Sequence, residues 1–339
     1  MKECKMFVGI DVSKRTFDVA LLQRDKAAVV HQCFEQSPQG YKQFSAWLKK
    51  QGVVYDSTLF CMEHTGLYSE GLINYLVQLN CLLWVEMAIK IKRSMGLQRG
   101  GDDKASARII AEYALRFSDR ARLWQPVDTK LLQIRAMLKQ RERMLTSLKQ
   151  LQVPVNEWKQ CGHAAMARQL NKNQQAVIRE LKEAVKKIES QIAALVASDE
   201  ELSTSVKRIT SIKGVGLQTA TALLEYTKGF TMFENGKQLA CYCGVVPFSR
   251  SSGTSVRTKP GVSPFANRRL KSLLHLCAMA ALRHDAEIRA YYQRKVQEGK
   301  NKMLVINAIR NKLLQRIYAL LRDKRYYEDN YVYNGGKVA

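Results

Sequence analysis

The chain has 339 residues, 46% of them hydrophobic, which allows two or three domains with real cores and excludes a disordered chain. No apolar run is long enough to cross a bilayer, and the opening MKECKMFVGID passes straight into a strand pattern rather than a signal peptide; a cytoplasmic protein without membrane contact is expected. Lys and Arg number 55 against 30 Asp and Glu, a net charge of +25 that repels itself unless a polyanion neutralises it, so nucleic acid is the expected partner.

In chain order, MFVGIDVS, TFDVALLQ and AVVHQCFE read as three short strands rich in β-branched residues and separated by polar turns. A helix is predicted over 39–50, a fourth strand at STLFCME, an amphipathic helix at SEGLINYLVQLN, a fifth strand at CLLWVEM and a helix over 103–117. The order β-β-β-α-β-α-β-α predicts a mixed sheet with helices packed on it, an α/β domain over 1–125 that closes before Pro126.

Residues 126–204 carry two long helical patterns, with seams at Leu131, Ile134, Leu138, Leu145 and Leu148, then at Val177, Leu181, Ile188, Ile192 and Leu195. Pro154 and Gly162 fall between the two runs. Narrow apolar seams with charged flanks predict a coiled-coil hairpin or a dimerisation arm, the alternative being two core helices of a larger domain. Residues 205–339 form a third, mainly α domain with a Gly/Ser-rich interruption over 244–263, which is read as a functional loop. This stretch holds 24 Lys and Arg but 8 Asp and Glu, a net of +16, and the main phosphate-binding surface is expected in it. Its SIKGVGLQTATALLEYT has the form helix–GVG–helix, as in helix-hairpin-helix elements, where Gly214 and Gly216 would expose backbone N–H groups to a phosphate. The eight cysteines are scattered and lack metal-ligand spacing; reduced core thiols are expected.

Asp11 lies on the first strand and Glu63 at the end of the fourth, where neighbouring strands would place both at one sheet edge. Asp103 opens a helix able to pack against that edge. Carboxylates converging in this way call for a divalent cation, with Mg²⁺ the expected one. Two such ions can clamp the attacking and leaving oxygens of a phosphodiester exchange.

IDVSK, MEHTGLY and DDKASARIIAEYA, in this order and spacing, resemble the signature of the DEDD transposases, insertion-sequence recombinases related to Piv-type DNA invertases. The resemblance covers nearly the whole chain and implies an RNase H-like (RuvC-like) N-terminal domain with a Mg²⁺ site at Asp11, Glu63 and Asp103. The family's fourth acid falls on position 106, where this chain has Ser106, a weak neutral ligand. Adjacent Asp102 lies about 100° around the helix from Asp103. LACYCGVVPFSRSSGTSVRTKPGVSPFANRRLKSLLHLCAMAAL resembles the family's second block, in which a Ser before a Gly is the nucleophile; here that is Ser252, with neighbouring Ser251 as the alternative. Arg250, Arg257, Lys259, Arg268, Arg269 and Lys271 would hold the DNA backbone around it.

The resemblance implies strand exchange between donor and target DNA through a covalent phosphoserine, a structured non-coding bridge RNA as guide, and a dimer or tetramer. Two other readings stay open at the level of sequence. One is a guide-independent invertase or junction nuclease; the other is a nucleic-acid-binding homologue impaired at Ser106.

Overall fold

The computed structural model describes residues 4–63, 66–94, 103–126, 128–252, 256–263 and 266–328; at 26, 27, 67, 103, 248–252 and 256–260 it describes the backbone alone. The chain divides into two compact units, one up to Pro126 and one from Val127.

The first unit is built on strands β1 (Met6–Val12), β2 (Thr16–Gln23), β3 (Lys26–Glu35), β4 (Thr58–Glu63) and β5 (Leu82–Glu86), with helices α1 (Pro38–Lys50), α2 (Leu67–Gln78), α3 (Ala88–Ser94) and α4 (Asp103–Arg116). The sheet order is β3-β2-β1-β4-β5. The β1–β2 and β2–β3 pairs are antiparallel, whereas β1–β4 and β4–β5 are parallel. This is the mixed sheet with packed helices that the element order predicts.

Both sheet faces are covered, which is why β1, β2 and β4 are nearly continuous apolar runs. Val8, Ile10 and Val12 of β1 pack on one side with Phe44 and Leu48 of α1 and Leu72, Ile73 and Leu76 of α2. Phe7, Ala20, Leu59, Cys61 and Trp84 face the other way, against Ala107, Ile110, Ala111 and Ala114 of α4. Gly9 sets how close α4 comes. A Cβ there would lie 2.3 Å from the Ala107 carbonyl oxygen and 2.2 Å from the Ala111 nitrogen, so α4 rests directly on the backbone of β1. Helix α1 starts cleanly because the Ser37 hydroxyl accepts from the Gly40 N–H at 3.1 Å and Pro38 needs no partner of its own.

The second unit holds α5 (Thr129–Gln160), α6 (Ala164–Ala197), α7 (Glu200–Thr210), α8 (Leu217–Tyr226), α9 (Gly236–Tyr242), β6 (Phe248–Ser252), β7 (Val256–Gly261), α10 (Arg268–His284), α11 (Ala286–Gln297) and α12 (Lys302–Arg322). Helices α5 and α6 form an antiparallel hairpin, tied by Arg141 to Glu189 at 2.7 Å, and Lys130 of α5 reaches Asp199, the cap of α7, at 2.8 Å. Its turn lies at 161–163, with Gly162 at φ +85. Pro154 does not break the pattern: α5 runs through it to Gln160, since a proline in a long helix removes one hydrogen bond and the rest of the hairpin carries the helix past it.

The seam on α6 runs through Ile188 and Ile192 as the spacing predicts, with Leu181 half-buried, but at its two ends it shifts one residue later, to Ile178 and Val196. Ile178 is buried while Val177 is 52% exposed, because the period runs through Ile178, Val185, Ile188, Ile192 and Val196. Ile134, Ile188, Ile192 and Val196 share one core with Val206, Ile209, Leu223, Leu274, Ile309 and Leu313, so the base of the hairpin packs with the C-terminal helices.

The stretch 244–263, read from sequence as a loop, contains the two-stranded hairpin β6–β7. Pairing of FSRSS with VRTKPG satisfies backbone groups that a plain loop would leave to water. The cysteines are free thiols, but Cys33 and Cys161 are exposed rather than core residues: Cys33 sits on edge strand β3, and Cys161 caps α5 at the hairpin turn. None of the described helices is long and apolar enough to cross a membrane.

Candidate active site

Strands β1 and β4 run parallel with Ile10 opposite Met62, so Asp11 and Glu63 are the next residues on adjacent strands. Neighbouring strands lie about 4.8 Å apart. Side-chain alternation puts Asp11 on the face of Phe7 and Gly9, and Glu63 on the face of Leu59 and Cys61, which is the α4 face. Both are half-buried. Asp103 opens α4 one turn before Ala107, the residue whose carbonyl lies over Gly9; Ser106 directly precedes Ala107 and is half-buried. The sheet thus brings Asp11 and Glu63 together, and Gly9 lets the start of α4 approach the same edge. Asp102 lies outside the described residues.

Two acids in this row are absent from the sequence reading. Asp18 on β2 pairs across the strand with Asp11, and Glu86 on β5 pairs with Glu63. Asp18, Asp11, Glu63 and Glu86 therefore form one line across four adjacent strands. The outer two are engaged. Asp18 is 8% exposed and takes His31 Nε2 at 2.8 Å, with the Cys33 thiol at 3.5 Å. Glu86 accepts from the Met87 N–H at 2.9 Å and the Lys90 ammonium at 3.0 Å. Burial, reinforced by the Glu86 charge, pushes the neighbouring Tyr113 phenol up to about 12.

Asp18 is legible in principle: a two-residue turn at 14–15, closed by the Ser13 N–H on the Thr16 carbonyl, puts residue 18 opposite residue 11. Among the described residues no three His, Cys, Asp or Glu side chains come together as a metal cage. The donor chemistry of Asp11 and Glu63 fits a hard divalent cation. Two carboxylates on adjacent strands repel unless a cation lies between them, and oxygen is the ligand atom such cations take.

In the second unit, α7 and α8 are joined by the stretch 211–216. Gly214 has φ +93, and a Cβ on it would meet the Ala281 nitrogen of α10 at 2.6 Å. That glycine is required by packing. Gly216 caps α8 and has nothing within 4 Å of its Cβ position, while its backbone is engaged by the Cys277 thiol of α10. Ser252 is the last residue of β6, opposite Val256; Ser251 lies opposite Arg257 and Arg250 opposite Thr258, with Lys259 further along β7. Arg268 is exposed at the first turn of α10. Arg269 is tied to Glu142 of α5 at 3.1 Å, and Lys271 reaches past Gly244. Three cations in the first turn of a helix are unfavourable by themselves, since that end carries partial positive charge.

Residues 8–156 match a family model for DEDD transposases of the IS110 type, and residues 206–293 match one described as the transposase IS116/IS110/IS902 family. The chain belongs to the IS110/IS116/IS902 transposases. This transposase is therefore an enzyme of DNA cleavage and rejoining, and its first unit is an RNase H-like domain of a kind that typically uses a divalent metal. Among its relatives is the pilin gene-inverting protein of Moraxella bovis, 26% identical over 330 residues that cover 96% of this chain and 98% of the relative. The IS110 43.6 kDa protein of Streptomyces coelicolor is 33% identical over 141 residues, covering 42% of this chain and 34% of that protein. A match to the IS1111A transposase of Coxiella burnetii, 28% identical, covers 43% of this chain and 39% of the relative.

Proposed function

We propose that this transposase exchanges DNA strands through Ser252, with Asp11, Glu63 and Asp103 holding Mg²⁺. The carrying observation is the acid row on the α4 face, with Asp11 and Glu63 on adjacent parallel strands and Asp103 at the start of α4. Bound there, Mg²⁺ would screen charge on the reacting phosphate and lower the cost of deprotonating a hydroxyl.

The Ser252 Oγ attacks a DNA phosphorus; the Ser–O–P bond forms, the P–O3′ bond breaks, and the strand leaves with a 3′ hydroxyl. The 3′ hydroxyl of the exchanged strand then attacks the phosphoserine, re-forms a phosphodiester and returns the proton to Ser252. The bond count is conserved, so no nucleotide cofactor is consumed. Serine needs activation, and no histidine adjoins Ser252 in sequence, so deprotonation falls to the carboxylate site. Arg250, Arg257, Lys259, Arg268, Arg269 and Lys271, with the start of α8 at Gly216, would hold backbone phosphates. Arg269 would exchange Glu142 for phosphate on binding.

The net +25 supports a complex that neutralises more than one duplex, as a guide RNA with donor and target DNA would require. Pairing of two DNA sites calls for a dimer or tetramer, and the α5–α6 hairpin is the proposed coiled-coil contact. The near full-length match to a pilin gene-inverting protein favours a second reading, site-specific inversion without a guide. Recombination of donor and target plasmids with purified protein and Mg²⁺, with and without RNA from the element's flanks, separates the two. Strict dependence on that RNA is expected; equal rates without it would leave the inversion reading.

A further inference from the structure

Arg310 of α12 is a buried cation without a carboxylate partner among the described residues. It is 7% exposed, its Nε has no hydrogen-bond partner, and its Nη2 donates to His275 Nδ1 of α10 at 2.6 Å. Arginine only donates, so Nδ1 of His275 accepts and that imidazole is neutral with its proton on Nε2. Burial, together with the Arg310 charge, holds the His275 pKa below its ordinary value, so the imidazole brings no negative charge. No carboxylate among the described residues pairs with Arg310, whereas Arg316 on the same helix is tied to Asp285 and Glu287, and Arg135 to Glu225. A buried guanidinium left this way costs stability, and a folded chain keeps such a group only where something returns the cost.

Its position points to what that is. One turn before Arg310, Asn307 Nδ2 donates to the Val245 carbonyl at 2.7 Å; one turn before His275, Lys271 lies beside Gly244. The Arg310–His275 pair thus stands near the foot of the β6–β7 hairpin that carries Ser252, among Arg268, Arg269 and Lys271 at the start of α10. Strand β6 extends about 13 Å from that foot to Ser252. We infer that Arg310 binds a backbone phosphate of the nucleic-acid strand flanking the one at Ser252, with His275 orienting its guanidinium. This rests on the reading of the second unit as the strand-exchange platform, but concerns binding, not cleavage.

The chemistry is that of a phosphodiester, which DNA and guide RNA share. The test measures binding of single-stranded DNA and RNA of one sequence, over a salt series, by the full-length protein in a Ser252→Ala background. Failure of the serine mechanism therefore leaves the readout intact. Arg310→Met is expected to keep or raise Tm, weaken binding about 10-fold or more, and lower the slope of log K against log salt by about 0.7–0.9. Loss on one polymer alone assigns the contact to that polymer and supports the site. A lower Tm with unchanged affinity and slope would make Arg310 a structural tie and overturn the inference. Should Arg310→Met not fold, Arg310→Lys decides: a weaker complex with unchanged Tm supports the site, and unchanged affinity overturns it.

Discussion

At position 106 a single side chain would set the charge of the proposed metal site. Ser106 stands half-buried where the resemblance to DEDD transposases implies an acid, so the proposed site would offer its cation one negative charge fewer. Ser106→Asp should lower the Mg²⁺ concentration needed for half-maximal cleavage; an unchanged or higher requirement would mean that Ser106 does not limit metal binding. Asp11→Asn and Glu63→Gln should each reduce cleavage by at least about 100-fold, with circular dichroism and Tm little changed. Asp18 is a different case. Its His31 and Cys33 partners hold it in the row beside Asp11, so Asp18→Asn should raise the Mg²⁺ requirement more than it lowers maximal rate. His275 gives a pH signature. Its folded pKa lies below the ordinary 6.5, so its neutral form stabilises the fold above that value. The contribution is lost as pH falls from 6.5 through the folded value. His275→Asn should flatten that part of the Tm–pH curve.

Among elements, contacts between backbones decide most. Gly9→Ala drives a methyl into the Ala107 carbonyl and Ala111 nitrogen; α4 must shift, and a loss of at least about 1–3 kcal/mol in denaturant melts is expected, along with activity. Gly214→Ala combines a positive φ with a clash against Ala281 and should also destabilise, whereas Gly216→Ala meets open space and should leave Tm nearly unchanged. Arg135 of α5 and Glu225 of α8 form an ion pair in which Glu225 is 3% exposed. Arg135→Met alone should cost about 3–5 kcal/mol, because it strands the carboxylate, while the double Arg135→Met, Glu225→Met change should recover most of that loss.

The strands and helices were legible because their periods are strong: MFVGIDV and TFDVALLQ are short, apolar and bounded by turns. What escaped depended on pairing. Asp18 and Glu86 look like ordinary strand polars until register sets them beside Asp11 and Glu63. The β6–β7 hairpin is hidden because serine and threonine in FSRSSGTSVRT read as loop, and spacing alone does not separate Val177 from Ile178, which are both β-branched and adjacent. Gly9 and Arg310 have no sequence signal: one owes its role to α4, far along the chain, the other to the lack of a carboxylate partner among the described residues.

For the whole molecule, the charge balance and two chemical centres have to be combined. The acid row belongs to the unit ending at Pro126 and Ser252 to the unit beginning at Val127, so the proposed chemistry needs both units of one protomer or of two. Mixing Asp11→Asn protein with Ser252→Ala protein should restore part of the activity if the centre is built from two protomers, and none if each protomer supplies both parts. The most direct measurement of the central claim is recovery of a covalent protein–DNA adduct after denaturation. Wild-type protein with Mg²⁺ and cleavable DNA should yield a phosphoserine mapped to Ser252, and Ser252→Ala should yield neither adduct nor cleavage. Cleavage by Ser252→Ala at the wild-type rate would contradict the account.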